Sequence, residues 1–308
     1  MTQPSKPRLA WFNGQFMPES QVLIPFRDRS FKYGDAAFDM TRTFNGRPFR
    51  LEEHIDRFYR SLRYLRLDPG MSRQEMIGVS EQLLVCNEPL RAAAGDWWLG
   101  QRVTRGVDPI GEEVPAHLGP NVIVECTPLP LQARARLFRD GIDVWTPAQR
   151  RVAPDMLSPR AKTHNYLNLI VAEQSVKAHD PEGWAVLLDI NGNLAEGRGS
   201  NIFVVRAGTL YTPRERYVLP GISRQMTLDL ARRLDIPAVE ADIDLFDAAN
   251  ADEMFLTSTS LCIAGARSFN GATVGDGRVP GPITRRLTEA YIAEVGCDFV
   301  QQYLDRLT

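Results

Sequence analysis

Lysine is scarce in this sequence. Lys6, Lys32, Lys162 and Lys177 stand against a large excess of arginine. The difference is chemical: a guanidinium neither loses its proton nor forms a Schiff base, and a lysine amine does both once its surroundings lower its pKa. Lys6 lies in a Pro-rich tail. Lys177 follows Glu173 by four residues on a predicted helix, the spacing of a solvated ion pair. Two amine candidates are left. Lys162 sits in Arg160-Ala-Lys-Thr-His-Asn-Tyr166, ahead of an apolar helical run, and Lys32 sits just before Tyr33-Gly34. A lone lysine is ordinarily surface charge, so Lys162 needs support from the rest of the chain.

Other residues stand out by type and spacing. His54 and Arg57 fall three apart on a predicted helix, outside its apolar stripe. Pro220-Gly221-Ile222-Ser223-Arg224 opens another helix, where free N–H groups and the positive end of the dipole suit a phosphate; a plain capped helix looks the same. Thr257-Ser258-Thr259-Ser260 ends a strand with four hydroxyls, which can serve a phosphate or satisfy turn backbone. Glu196 precedes Gly197-Arg198-Gly199-Ser200. A dinucleotide loop needs its glycines to open a helix after a strand. Here Asn201-Ile-Phe-Val-Val continues as a strand, and Gly275-Asp-Gly277 fails for the same reason of context.

The elements that must position these groups follow from hydrophobic periodicity and turn chemistry. Asn13-Gly14 predicts a hairpin with a type I′ turn, and Asn45-Gly46 is the turn of a second hairpin. On the strand Ala37–Phe44, alternation puts Phe38, Met40, Arg42 and Phe44 on one face. An arginine there reads either as an edge residue snorkelling to water or as a pocket guanidinium. Residues 51–65 predict a helix with the stripe Ile55, Phe58, Leu62 and Leu65, and Ser72 with Glu75 forms a capping box for the next. Strands are predicted over 96–105, 121–125, 142–145, 185–188, 201–205 and 253–256, and helices over 165–179 and 282–295. Pro128-Leu-Pro130 interrupts the pattern and predicts an interdomain connection.

At 308 residues the chain exceeds a single typical core, so two domains are expected. The boundaries are drawn at 1–127 for a smaller α+β domain, 128–137 for the connecting loop and 138–308 for a larger domain. A net charge of −2 gives no case for nucleic acid or an anionic membrane. Cys86, Cys126, Cys262 and Cys297 are far apart and form no metal or disulfide framework, which suits the reducing cytoplasm. The N-terminal stretch lacks an apolar leader core, and no apolar run reaches membrane-spanning length.

Together the motifs resemble one family, the class IV aminotransferases of pyridoxal 5′-phosphate (PLP) fold type IV. This is a two-domain fold that includes branched-chain, D-amino-acid and (R)-selective amine transaminases and aminodeoxychorismate lyase. The similarity runs from Trp11-Phe-Asn-Gly to the C-terminal helix. It is strongest at Tyr33-Gly-Asp-Ala-Ala-Phe38, His54-Ile-Asp-Arg57, Lys162 with Asn165-Tyr166, Leu194-Ala-Glu-Gly-Arg-Gly-Ser-Asn-Ile-Phe203 and Leu219-Pro-Gly-Ile-Ser-Arg224.

The resemblance implies the following roles. Lys162 forms the Schiff base with PLP and moves the proton, and Glu196 binds the pyridine nitrogen. Arg57, Ile222, Ser223 and Ser258 or Thr259 hold the phosphate. Tyr166 hydrogen-bonds the phenolic oxygen, although it falls one residue nearer the lysine than in branched-chain enzymes. Phe38, Met40, Arg42 and Trp98 line the substrate pocket. The Tyr-x-Arg of branched-chain enzymes is replaced by Trp98-Leu99-Gly100. The Arg-x-His of D-amino-acid enzymes is missing after Thr104-Arg105-Gly106. A cytoplasmic homodimeric ping-pong transaminase taking (R)-amines or D-amino acids with pyruvate or 2-oxoglutarate is therefore expected. L-branched-chain activity is the alternative, followed by a PLP lyase and a non-catalytic PLP-binding protein.

Overall fold

Antiparallel hairpins dominate the first third of the chain and strand–helix alternation the remainder, and each pattern builds its own core. The computed structural model describes residues 6–112 and 118–307; residues 1–5 of the N-terminal stretch lie outside them. The chain divides into two compact units, Met1–Leu129 with Ala161–Asn165, and Pro130–Arg160 with Tyr166–Thr308.

Unit one contains β1 (Leu9–Phe12), β2 (Gln15–Pro18), α1 (Arg29–Tyr33), β3 (Ala36–Phe44), β4 (Arg47–Pro48), α2 (Leu51–Leu65), α3 (Arg73–Asn87), β5 (Trp97–Thr104) and β6 (Val122–Pro128). Its six strands form an antiparallel sheet in the order β2-β1-β6-β5-β3-β4. Both tight turns have the backbone that their Asn-Gly pairs require, with positive φ at Asn13, Gly14, Asn45 and Gly46. One face of the sheet is buried under α2 and α3, where Ala37, Leu99, Val103 and Val124 meet Ile55, Phe58, Leu62, Met76 and Leu83. The capping box is present, Ser72 Oγ accepting from Glu75 N–H and Glu75 accepting from Ser72 N–H. By alternation the opposite face carries Phe38, Met40, Arg42, Trp98, Gly100, Arg102 and Glu125.

Unit two contains α4 (Leu131–Asp140), β7 (Ile142–Trp145), α5 (Leu167–Lys177), β8 (Trp184–Leu188), β9 (Leu194–Gly197), β10 (Asn201–Arg206), β11 (Thr209–Pro213), α6 (Ile222–Arg233), β12 (Ala238–Ala241), α7 (Leu245–Ala249), β13 (Glu253–Ser258), β14 (Cys262–Phe269), β15 (Ala272–Thr273), α8 (Pro282–Val295) and α9 (Phe299–Leu304). The strand order is β12-β11-β10-β13-β14-β7-β8-β9, and β9 pairs again with β10, so six strands close on themselves. The closing pair is Glu196 opposite Asn201. Inside lie Ile142, Val144, Val186, Ile202, Val204, Leu256 and Ala264.

Two parts of the expected division are corrected. Residues 131–137 of the expected connecting loop belong to helix α4. The prolines stop the strand but sit ahead of the helix, where a missing N–H costs nothing, and Leu131-Gln-Ala-Arg-Ala-Arg-Leu is rich in helix formers. Ala161–Asn165 also returns to unit one, because its backbone pairs with β3.

Glu253 shows how a buried carboxylate fixes an element. Helix α8 starts from Gly281, which has no side chain to cap it. Glu253 Oε1 accepts from Ile283 N–H at 2.8 Å, and Oε2 accepts from Thr284 N–H at 2.8 Å and Thr284 Oγ1 at 2.7 Å. Glu253→Ala leaves these donors unpaired and is expected to cost about 2–3 kcal/mol. A urea midpoint equal to that of the parent protein would refute the capping role.

Candidate active site

The position of Lys162 is set by backbone. Phe38 N–H donates to Lys162 C=O at 3.0 Å and His164 N–H to Ala36 C=O at 2.9 Å, so the segment adds to the edge of β3 like a short strand. Lys162 N–H donates to Ser61 Oγ at 3.0 Å, and that hydroxyl donates to Arg57 C=O at 3.1 Å, tying the lysine to α2. The Lys162 amine lies over the Phe38 ring, 4.6 Å from its centroid. His164 meets the same ring edge-on at 5.4 Å.

Arg57 is buried, and its partners were not anticipated from sequence. Its Nε and Nη2 donate to the two oxygens of Asp39 at 2.9 and 2.7 Å, a bidentate pair. His54 Nδ1 lies 2.7 Å from Asp39 Oδ1. Burial pushes the Asp39 carboxyl upward, but the Arg57 charge and the His54 hydrogen bond outweigh it and hold the group well below the usual carboxylate range. Burial lowers the His54 pKa, against the pull of Asp39, so the ring is neutral and donates its Nδ1–H to the carboxylate. A carboxylate on the helix-facing side of β3, level with a His and an Arg one turn apart on α2, was the available signal.

Arg42 is not an edge residue. It is 2% exposed. Its Nε donates to Thr43 C=O at 3.1 Å, its Nη2 lies 3.8 Å from Asp96, and its guanidinium stacks on Phe44 at 4.0 Å. The expectation of a head group reaching water fails, because Asp96, itself bonded to Thr43 Oγ1 and Gly46 N–H, supplies a buried counter-charge. Phe38, Met40 and Trp98 lie on the same sheet face as Phe38's neighbour Arg102, which sequence reasoning missed.

In unit two, Glu196 is 5% exposed and both oxygens are engaged, accepting from Arg151 Nε and Leu219 N–H at 2.9 Å each. Asn201, its cross-strand partner, donates from Nδ2 to Leu219 C=O at 3.0 Å. A Cβ on Gly221 would lie 2.1 Å from Asn201 Oδ1, so only glycine fits this close approach. Gly221 starts α6 without a side-chain cap, leaving the Ile222 and Ser223 end of the helix suited to an anion. Ser223 Oγ donates to Ser258 C=O at 3.0 Å, and Ser258 Oγ accepts from Leu261 N–H. Thr257, opposite Asn201, keeps a buried hydroxyl with no hydrogen-bond partner among the described residues. Unit two therefore gathers Glu196, Ile222, Ser223 and Ser258, with Thr259 half-buried in the following turn. Tyr166 starts α5 and packs against Leu169, Ala172 and Leu187. Among the described residues no His, Cys, Asp and Glu cluster could hold a metal, and no helix is long and apolar enough to cross a membrane.

His164 provides a pH test of this arrangement. Burial, with the Arg102 charge beside it, pushes its pKa down to about 4 from 6.5. Between those values the unfolded chain binds a proton that the folded chain refuses. Stability therefore falls as pH drops through that window, by up to about 1.4 kcal/mol per pH unit from this group. His164→Gln is expected to flatten the decline in denaturation midpoint between about pH 6.5 and 4. An unchanged slope would show that His164 titrates normally.

Residues 36–269 match the family model for amino-transferase class IV. The chain is 36% identical over 284 residues to a putative branched-chain-amino-acid aminotransferase of Methanocaldococcus jannaschii, covering 91% of this chain and 94% of the relative. It is 30% identical to the D-alanine aminotransferase of Bacillus licheniformis, again covering 91% and 94%. The solved Escherichia coli branched-chain amino acid aminotransferase superposes with a TM-score of 0.83 at 29% identity, over 94% of each chain. The edge-paired lysine, the buried Arg57 and the Glu196–Asn201 closure thus occur within the residues that match the family model, and this protein belongs to the PLP-dependent class IV aminotransferases.

Proposed function

We propose that this aminotransferase moves the amino group of an (R)-amine or D-amino acid to a 2-oxo acid such as pyruvate or 2-oxoglutarate. The supporting observation is the sheet face beside Lys162. Phe38, Met40 and Trp98 offer apolar surface there, and Leu99, in the middle of the stretch that replaces the branched-chain Tyr-x-Arg, is buried on the opposite face with the helices. The 36% identity to a putative branched-chain enzyme favours the second reading, transfer from L-branched-chain amino acids.

In this proposal the residues divide the work by charge. Arg57, oriented by Asp39, and the uncapped start of α6 at Ile222 and Ser223 would serve the phosphate, with Ser258 and Thr259 supplying hydroxyls. The orphaned Thr257 hydroxyl beside them is what a polar ligand at this end of β13 would satisfy. Glu196, fixed by Arg151 and Leu219 N–H, would keep the pyridine nitrogen protonated, and Tyr166 would bond the phenolic oxygen. Held this way, PLP would supply an electron sink for charge developing at the substrate Cα. The Lys162 amine would hold and move the proton taken from Cα. A homodimer belongs to the same proposal, supported by the exposed apolar side chains Leu23, Phe26 and Phe31.

The lysine role is tested by borohydride reduction of the yellow enzyme followed by peptide mapping. The label is expected on Lys162; label on Lys32 would overturn the assignment. The donor preference is tested with D-alanine, (R)-1-phenylethylamine and L-leucine at equal concentration. One of the first two is expected to lead. L-leucine ahead of both by tenfold, about 1.4 kcal/mol of transition-state preference, would select the branched-chain reading instead.

A further inference from the structure

We propose that Arg102 binds the carboxylate of the amino-acid and 2-oxo-acid substrates, with Glu125 and His164 as its positioning residues. The proposal rests on Lys162 being the reactive amine. Arg102 stands directly opposite Phe38 in the β3–β5 register. Its guanidinium lies 5.2 Å from the Phe38 centroid, and the Lys162 amine lies 4.6 Å from the same centroid. One aromatic ring therefore carries both the amine and a guanidinium on its neighbourhood of the sheet.

The hydrogen bonds of Arg102 leave it able to take a ligand. Nε donates to Glu125 Oε1 at 2.7 Å and Nη1 lies 3.3 Å from His164 Nε2. A guanidinium has only donors, so His164 Nε2 accepts. Its depressed pKa keeps the ring neutral and free of repulsion towards Arg102. Nη2 meets no acceptor among the described residues, and the side chain is 31% exposed. Two of the five donors thus fix the orientation, and the outer edge of the fork can receive a carboxylate in bidentate geometry. Met40 and Glu125 close over Gly100, where a Cβ would lie 2.8 Å from Met40 Sδ and 3.0 Å from Glu125 Oε1, so this part of the face has no room for another side chain.

Arg42, Arg105 and Arg57 are committed elsewhere. Arg42 is buried against Asp96 and Phe44. Arg105 donates to Asp35 and to the carbonyls of Leu65 and Arg66. Arg57 is held by Asp39 on the helix-facing side of β3. Arg102 is the guanidinium that shares the Phe38 ring with Lys162, which makes it the charge that distinguishes a donor with a carboxylate from one without.

The test uses PLP-loaded enzyme and calorimetric titration with 4-methylvalerate, an acid without an amine, and with its neutral amide. Arg102→Gln is expected to weaken binding of the acid by about tenfold or more, about 1.4 kcal/mol. Binding of the amide should stay within about twofold of the parent enzyme. KM for D-alanine or L-leucine should rise by a larger factor than any change in the single-turnover half-reaction with (R)-1-phenylethylamine, which is read without a 2-oxo acid. Arg102→Lys keeps the charge without the fork; it is expected to lose acid affinity by a smaller factor and serves if the Gln variant does not fold. Unchanged acid affinity in the folded variants, or equal loss for acid and amide, would overturn the proposal. If wild-type enzyme gives no borohydride label on Lys162, the underlying reading falls instead; a label on Lys162 with acid affinity indifferent to Arg102 refutes only this inference.

Discussion

A carboxylate taken out of water must find charge or hydrogen bonds within the protein, and this requirement organises both units. Asp39, Asp96, Glu196 and Glu253 are all at most 8% exposed. Each is answered by a named set of donors. Asp39 takes Arg57 and His54, and Asp96 takes Thr43, Gly46 and Arg42. Glu196 takes Arg151 and Leu219, and Glu253 takes the start of α8. Moving any of these elements would leave an uncompensated charge behind, so the side chains are fixed by electrostatics as well as by packing.

The same requirement shapes the chemistry. A guanidinium that is to take a ligand must stay oriented before the ligand arrives, and the Asp39 fork orients Arg57 with two parallel bonds. Asp39 belongs to β3, and β3 also carries the edge on which Lys162 is hung by backbone hydrogen bonds. One strand thus sets the amine on its edge, Phe38 on one face and Asp39 on the other. Alternation of side chains makes these assignments mutually dependent: a one-residue slip would exchange the two faces.

Unit two solves a related problem by closure. Its sheet returns to itself where Glu196 pairs with Asn201, and Asn201 also grips the Leu219 carbonyl just before α6. Gly221 admits that contact because it has no Cβ. The acid, the helix start and the hydroxyls at the end of β13 are held as a group by adjacent strands and one side-chain amide.

Much of this was legible in the residues themselves. Asn-Gly turns, the Ser72–Glu75 capping box, the stripe on 51–65 and the scarcity of lysine depend on local geometry or intrinsic chemistry, so sequence spacing was sufficient. The family was legible because several motifs kept their order along the chain. Sequence could not decide the helix over 131–140, where two prolines looked like a linker, nor the return of 161–165 to the first unit, because pairing with β3 spans more than a hundred residues. It also left Arg42 and Arg102 indistinguishable as arginines on strands. Burial beside Asp96 committed one, and placement across from Phe38 with an open edge distinguished the other. Those outcomes depend on which distant groups share a dielectric environment, and only the tertiary structure decides that.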